Sequence, residues 1–331
     1  QAKGSKGLIQ RCSFMGPCSS GIDWMECPDQ KLSIEDCQFD NCRIGIQTIL
    51  CNYVVIKGSA NKPCEIKNAI YGLSVKHSRV DVSGVAVQGK SDGDHKQNRV
   101  SLQITEGSSV KCNDCDFFGS SCGILVKKSS IEIDNVTIRD TTFLGMLVDE
   151  GLVDGDKLQI LNFSSYGLAV LSKGSSVSLN QLDAEAAKVQ GQKLSQAVYA
   201  ASGKIEFKNG LFSNCLCGIF VDPDRVLINS TGLPQLRSLA DLIGGNPEEN
   251  NSLTPVIVIS DHMKLTKCDS AWIFHGVGSS QVKQIEGDLP VSRRKPKLLP
   301  RLLSDDSEED YLEMDGTDLT NFSVVKKTDS K

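Results

Sequence analysis

Cys115-Asp-Phe117-Phe-Gly-Ser-Ser-Cys-Gly123-Ile124 is a phrase this chain repeats: Cys-x-Phe, a short polar stretch, then Gly-Ile. It recurs as Cys12-Ser-Phe14 to Gly21-Ile22 and as Cys37-Gln-Phe39 to Gly45-Ile46. Looser copies of its second half stand at Gly72-Leu-Ser-Val75, Gly145-Met-Leu-Val148, Gly167-Leu-Ala-Val170 and Gly218-Ile-Phe-Val221. The glycines at 123, 145 and 167 are 22 residues apart, while the gaps from 72 to 123 and from 167 to 218 are 51 residues. Each wide gap suits two periods plus an insertion. A fixed period of this size marks a solenoid, in which each unit buries its apolar face only against its neighbours.

Three short apolar runs fill a period, as in Ser130-Ile-Glu-Ile133, Val136-Thr-Ile138 and Met146-Leu-Val148. Most alternate apolar with polar residues, which is the signature of a strand with one buried face. Asn, Asp, Gly and Ser punctuate the junctions and predict turns. Three strands in about 22 residues predict an all-β chain, a right-handed parallel β-helix solenoid. A leucine-rich repeat has a similar period, but its Leu/Asn consensus is not visible. Roughly ten coils from Leu8 to Phe274 would build a rod on the order of 45–50 Å long. The glycine before each apolar pair is expected at a corner, in a backbone conformation that other residues resist. The recurring Phe and Cys are expected to stack in register inside the coil.

Composition agrees. Apolar residues make up 39% and aromatics 5%, which suits a thin stack of Val, Ile and Leu. A net charge of −5 with no basic stripe in the repeats argues against nucleic acid as the main ligand. No apolar run is long enough to span a membrane. Thirteen cysteines, an odd count without small-domain spacing, favour reduced thiols and a cytoplasmic setting. Sequons such as Asn135-Val-Thr137 and Asn229-Ser-Thr231 point the other way, yet Asn and Thr are ordinary turn residues of a β-helix. The chain opens Gln-Ala-Lys-Gly without a Met, as a fragment of a longer protein would.

The solenoid is assigned to residues 1–280, interrupted by an exposed loop between coils at 89–98, a lateral insertion at 182–193 and a third break at 222–253. The second carries helix formers, and the third contains Leu236-Arg-Ser-Leu-Ala-Asp-Leu-Ile243, a short-helix pattern ended by Gly244-Gly245. Val256-Ile-Val-Ile259 resumes the strand pattern and Trp272-Ile-Phe274 closes the stack. Residues 281–331 form a charged tail, expected to be disordered, with a basic cluster at Arg293-Arg-Lys-Pro-Lys297 and an acidic block from Ser304 to Asp315. The basic cluster reads equally as a nuclear import signal or a solvated linker. Within the acidic block, Ser304, Ser307 and Tyr311 are candidate phosphorylation sites. A phosphate at Tyr311 would suit an Arg-lined SH2 pocket.

Catalysis needs converging groups. A glycoside hydrolase needs paired carboxylates, and a lyase needs a carboxylate cage for Ca²⁺ plus a base. Asp134, Asp140, Asp154 and Asp156 come nearest to a cluster, but no motif pairs them with each other or with Arg79 or Arg139. His77, His95, His262 and His275 are scattered. Cys112-Asn-Asp-Cys115 has zinc-knuckle spacing without a second pair, and Cys215-Leu-Cys217 reads the same way. No catalytic residue, metal or cofactor is therefore assigned.

The coils Asn41-Cys42-Arg-Ile44-Gly45-Ile46, Ser121-Cys122-Gly123-Ile124 and Asn214-Cys215-Leu-Cys217-Gly218-Ile219 resemble those of intracellular animal β-helix proteins. The nearest are the SHC SH2-domain-binding protein and Nessun Dorma family, followed by F-box proteins with carbohydrate-binding-like β-helix repeats. The resemblance covers the repeats alone and carries over no site residue. It implies a non-enzymatic protein-binding scaffold in signalling or cytokinesis, with an SH2-domain or cytokinesis protein as partner, at the spindle or midbody. A glycan-binding β-helix face is the expected variant. A carbohydrate-active enzyme on the same fold is the alternative, and disulfide mapping would separate off a secreted adhesin.

Overall fold

Residues 130–149 show how the alternation becomes structure. Three strands follow one another there, Ser130–Asp134, Val136–Arg139 and Leu144–Asp149. Ile131, Ile133, Val136, Ile138, Met146 and Val148 are buried, while Glu132 and Arg139 reach solvent. The computed structural model describes residues 6–221 apart from 60–61, 90–98 and 189–194. It also describes 256–274 apart from 269, and three short strands at 282–284, 312–314 and 322–324. Throughout residues 6–274 each strand pairs in parallel with the strand one coil away, for example Val110 with Ile131 and Ile131 with Val153. The protein is a parallel β-solenoid whose three sheets run its length.

Buried side chains line up in columns. In the second sheet the column runs Phe14, Phe39, Ile66, Val87, Phe117, Ile138, Ile160, Ala184, Phe212. The first two rings stack with centroids 4.8 Å apart. Burying each large aliphatic side chain stabilises by about 1.5–3 kcal/mol. The core is continuous through about eight turns, residues 31–221, rather than the ten coils expected. A further rung stands at each end. The first has a neighbour on one side only, and its Leu8, Met15 and Met25 are exposed at outward-facing positions in register with Ser33, Asp40 and Ile49. Both 51-residue gaps resolve into two coils, since Leu73 pairs through Leu102 to Ile124 and Leu168 through Val198 to Ile219.

Three local expectations need correction. The repeated glycines do not take left-handed backbone angles; those belong to Gly16, Gly84, Gly107, Gly119 and Gly203. A Cβ on Gly145 would stand 2.5 Å from the carbonyl oxygen of Gly167, and one on Gly123 would stand 2.7 Å from that of Gly145. Close approach between coils therefore requires these glycines. The second correction concerns 182–193, read as a lateral insertion of helix formers. Residues 182–186 instead complete the strand Ser176–Ala186, with Leu182, Ala184 and Ala186 buried in alternation. Packing on both neighbouring coils overrides helix propensity.

The third concerns cysteine, which is a corner residue as much as a core residue. Cys12, Cys27, Cys37, Cys51, Cys115 and Cys215 each donate S–H to the carbonyl two residues back, at 3.1–3.4 Å. Each follows a residue with left-handed backbone, in order Arg11, Glu26, Asp36, Leu50, Asp114 and Asn214. Ser78 and Ser129 make the same bond after His77 and Lys128. The corner motif is thus a left-handed residue followed by a small donor, which adds a second hydrogen bond to carbonyls such as Glu35, Ile49, Lys76 and Asn113 that already accept a backbone N–H from the neighbouring coil.

Residues 222–253, with the helix pattern at 236–243, lie outside the described residues, as do His95, Asn229 and His275. The basic cluster at 293–297, Ser304, Ser307 and Tyr311 also lie outside them. Of the charged tail, Leu312–Met314 pairs antiparallel with Ser270–Phe274. Phe322–Val324 pairs antiparallel with Val256–Thr266 and with Val282–Gln284. No helix among the described residues is long and apolar enough to cross a membrane.

Candidate binding face

The three outer faces differ in chemistry. The first sheet alternates charge between rungs, with Lys57 Nζ 3.2 Å from Glu35 and Lys111 Nζ 2.8 Å from Glu132. Ser33 and Lys57 hold the Glu35 carboxyl below its usual range. Exposed pairs of this kind add little to stability, because solvent screens them. From Leu125 onward the third sheet is apolar on its outside as well. Leu125, Leu147, Ala169, Tyr199 and Phe220 stand in register there, all buried, in a second cluster with Phe143, Tyr166 and Leu171.

The second sheet combines an aromatic ring, an arginine and amides on a half-exposed surface. Register places Phe118 beside Arg139, and Asp116 one step along the strand on the same side. The guanidinium lies over the Phe118 ring, 4.0 Å from its centroid. Arg139 Nη2 donates to Asp116 Oδ2 at 2.8 Å and Nε reaches both carboxylate oxygens, while Nη1 donates to Asp140 at 3.2 Å. These carboxylates, Asp116 first, raise the arginine's already high pKa, so it stays cationic. About a third of the Arg139 and Asp116 side chains remain accessible (37% and 36%). One coil on from Arg139, Gln159 Nε2 donates at 3.1 Å to Asp183 of the following coil, and Gln181 donates to the same carboxylate at 2.8 Å. The result is a flat arginine–aromatic platform with an adjacent amide–carboxylate network. Its donors are held in place before any partner arrives, which lowers the entropy cost of binding.

The four aspartates weighed for catalysis do not converge. Asp140 sits at the corner after the second sheet and accepts from Asn162 Nδ2 at 3.1 Å. Asp134 and Asp154 project from the first sheet, and Asp156 accepts from Asn180 at 2.8 Å. Register does bring Asp154 beside Glu132, a proximity invisible in the linear sequence. The two point outward from adjacent rungs, and Lys111 engages Glu132. Arg79 stands on the first sheet beside Ser109, away from Arg139 on the second.

His77 is a corner residue 2.8 Å from Glu106, and His262 pairs with Asn209 in the strand ladder. Asn135, the first sequon, donates its amide to Asp114 at 2.7 Å. Cys112 lies in the interior column between Val82 and Ile133, and Cys115 takes the adjacent corner. Burial likewise explains Cys215 and Cys217. Among the described residues no three His, Cys, Asp or Glu side chains gather as metal ligands would.

Phe118, Gln159, Gln181 and Asp183 did not stand out in the sequence. The signal that would find them is the period itself, since 21 residues separate Phe118 from Arg139 and 24 separate Gln159 from Asp183. No family model, curated protein or solved structure matches the chain.

Proposed function

We propose that the solenoid is a non-enzymatic scaffold that binds other proteins on its second sheet, with Arg139 over Phe118 as the central contact. The observation that carries this reading is the half-exposed guanidinium, fixed by Asp116 and stacked on an aromatic ring. Arginine and aromatic residues dominate the energetics of protein interfaces, and here both are pre-ordered on a flat surface. The same combination of ring, amides and carboxylates suits the hydroxyls of a glycan, which is the narrower form of the proposal. Six corner thiols spend their S–H on backbone carbonyls, which supports a reducing, cytoplasmic setting. The repeated coils further support membership of the SHC SH2-domain-binding protein and Nessun Dorma family. In that reading Tyr311 is the phosphorylated contact for an SH2 domain, Ser304 and Ser307 add charge, and the chain acts at the spindle or midbody.

Affinity capture from dividing cells tests the proposal, using the whole chain, residues 1–280, residues 281–331, and the Arg139→Ala and Phe118→Ala variants. Residues 1–280 should retain at least one protein that both variants lose by about tenfold or more. Tyr311→Phe should remove any SH2-domain partner. Capture unchanged by either face variant would refute the binding face. Depolymerisation of a polysaccharide by the intact chain would favour the enzyme.

A further inference from the structure

Cys42 follows left-handed Asn41 and makes a long corner bond of 3.8 Å to the Asp40 carbonyl, and its sulfur also meets a second thiol. Cys18 and Cys42 are register partners on adjacent coils, and their sulfur atoms are 2.9 Å apart. Register partners on parallel strands stand about 4.8 Å apart, inside the Cα separation of about 4.4–6.8 Å that a disulfide spans. Cys18 is exposed and Cys42 is buried, so the Cys18 sulfur is the one open to solvent. The pairing shifts register between Met15 and Cys18, next to Gly16 with φ of +114°. That irregularity gives the strand room to move a sulfur by the further ångström a bond of about 2.05 Å requires. Exposed Cys12 also neighbours buried Cys37, and partly buried Cys268 neighbours buried Cys215, but each of these four thiols is hydrogen-bonded to a backbone carbonyl, and Cys112 and Cys115 are both buried.

We infer that Cys18 and Cys42 form a reversible thiol–disulfide modification site, closed by a small-molecule disulfide oxidant and opened by thiols. The Cys18 thiolate attacks one sulfur of glutathione disulfide, forming a mixed disulfide and releasing one glutathione thiolate. Cys42 then attacks Cys18 Sγ, and its proton passes to the second departing glutathione. Two protein thiols become one disulfide while one glutathione disulfide becomes two glutathiones, so atoms and electrons balance. Burial, and next the bond with Cys18, push the Cys42 thiol up to about 12. Exposure makes Cys18 the attacking group and burial makes Cys42 the resolving one. The closed pair would staple the exposed first coil to the first turn of the continuous core.

The test equilibrates the whole chain with glutathione disulfide, blocks remaining thiols with iodoacetamide, and maps peptides without reduction. A Cys18–Cys42 cross-linked peptide is expected, with labelling of Cys18 down about tenfold and restored by dithiothreitol. Cys42→Ala should stop at the first step and accumulate glutathione on Cys18, and Cys18→Ser should abolish both products. The wild-type peptide map stands even if a variant fails to fold. A lasting glutathione adduct on wild-type Cys18, a cross-link from Cys18 to Cys12 or Cys27, or unchanged labelling of Cys18 would each overturn the assignment.

Discussion

Left-handed residues turn this chain, and most of them are not glycine. Arg11, Asp36, His77, Asp114, Lys128 and Asn135 all carry positive φ, and a cysteine or serine often follows to bind the carbonyl two residues back. Asn and Asp tolerate that conformation through local hydrogen bonds, and the rest are held there by the ladders on either side. The repeated glycines meet a different demand, the near contact of successive coils. These two roles make separable predictions. Gly145→Ala should cost about 3 kcal/mol in urea unfolding, because its Cβ meets the Gly167 carbonyl of the next rung. At Gly107, whose φ is +73° with nothing within 4 Å of the added carbon, Ala should cost only about 1 kcal/mol. Equal losses at the two sites would mean that backbone conformation, not coil spacing, governs both.

Strands of the third sheet change character along the solenoid. Early copies such as Tyr71-Gly-Leu-Ser-Val75 alternate, whereas Leu144-Gly-Met-Leu-Val148 and Cys217-Gly-Ile-Phe-Val221 are apolar throughout. A continuous apolar run is the pattern of a strand buried on both faces, and both faces are buried here. Outward-facing Leu147 should therefore behave as core. Leu147→Ala is expected to cost about 2–5 kcal/mol in chemical denaturation. Lys111→Ala, which also faces outward but on the solvated first sheet, should cost under about 0.5 kcal/mol. A mild Leu147→Ala would show that the second cluster adds little to stability. The strand through Leu182, Ala184 and Ala186 teaches the same lesson in reverse: its residues favour helix, and its inward alternation decides for strand.

A solenoid's stability is a chain of nearest-neighbour contacts rather than one closed core. Opening should therefore be graded along the axis. The first coil, with one neighbour and several exposed apolar side chains, should exchange its amide hydrogens fastest among residues 6–221. Residues 109–170, flanked on both sides and buried on two sheets, should exchange slowest. Hydrogen exchange read by mass spectrometry checks this directly, and uniform exchange from residue 6 to 221 would mean that the rod opens as a single unit. The part of the candidate binding face from Phe118 to Gln159 lies over these central coils.

Period and alternation in the sequence determined the solenoid, its three strands per coil, the parallel stacking of Phe14 on Phe39, and the two coils within each 51-residue gap. Those features are local, repeated many times, and fixed by which residues must leave water. Tertiary structure alone decided what lies side by side across coils: Phe118 under Arg139, Asp154 beside Glu132, Cys18 against Cys42. Each depends on register between strands some 20 residues apart. There a one-residue error turns a side chain to the opposite face, so periodicity locates the sheet but stacking chooses the neighbours.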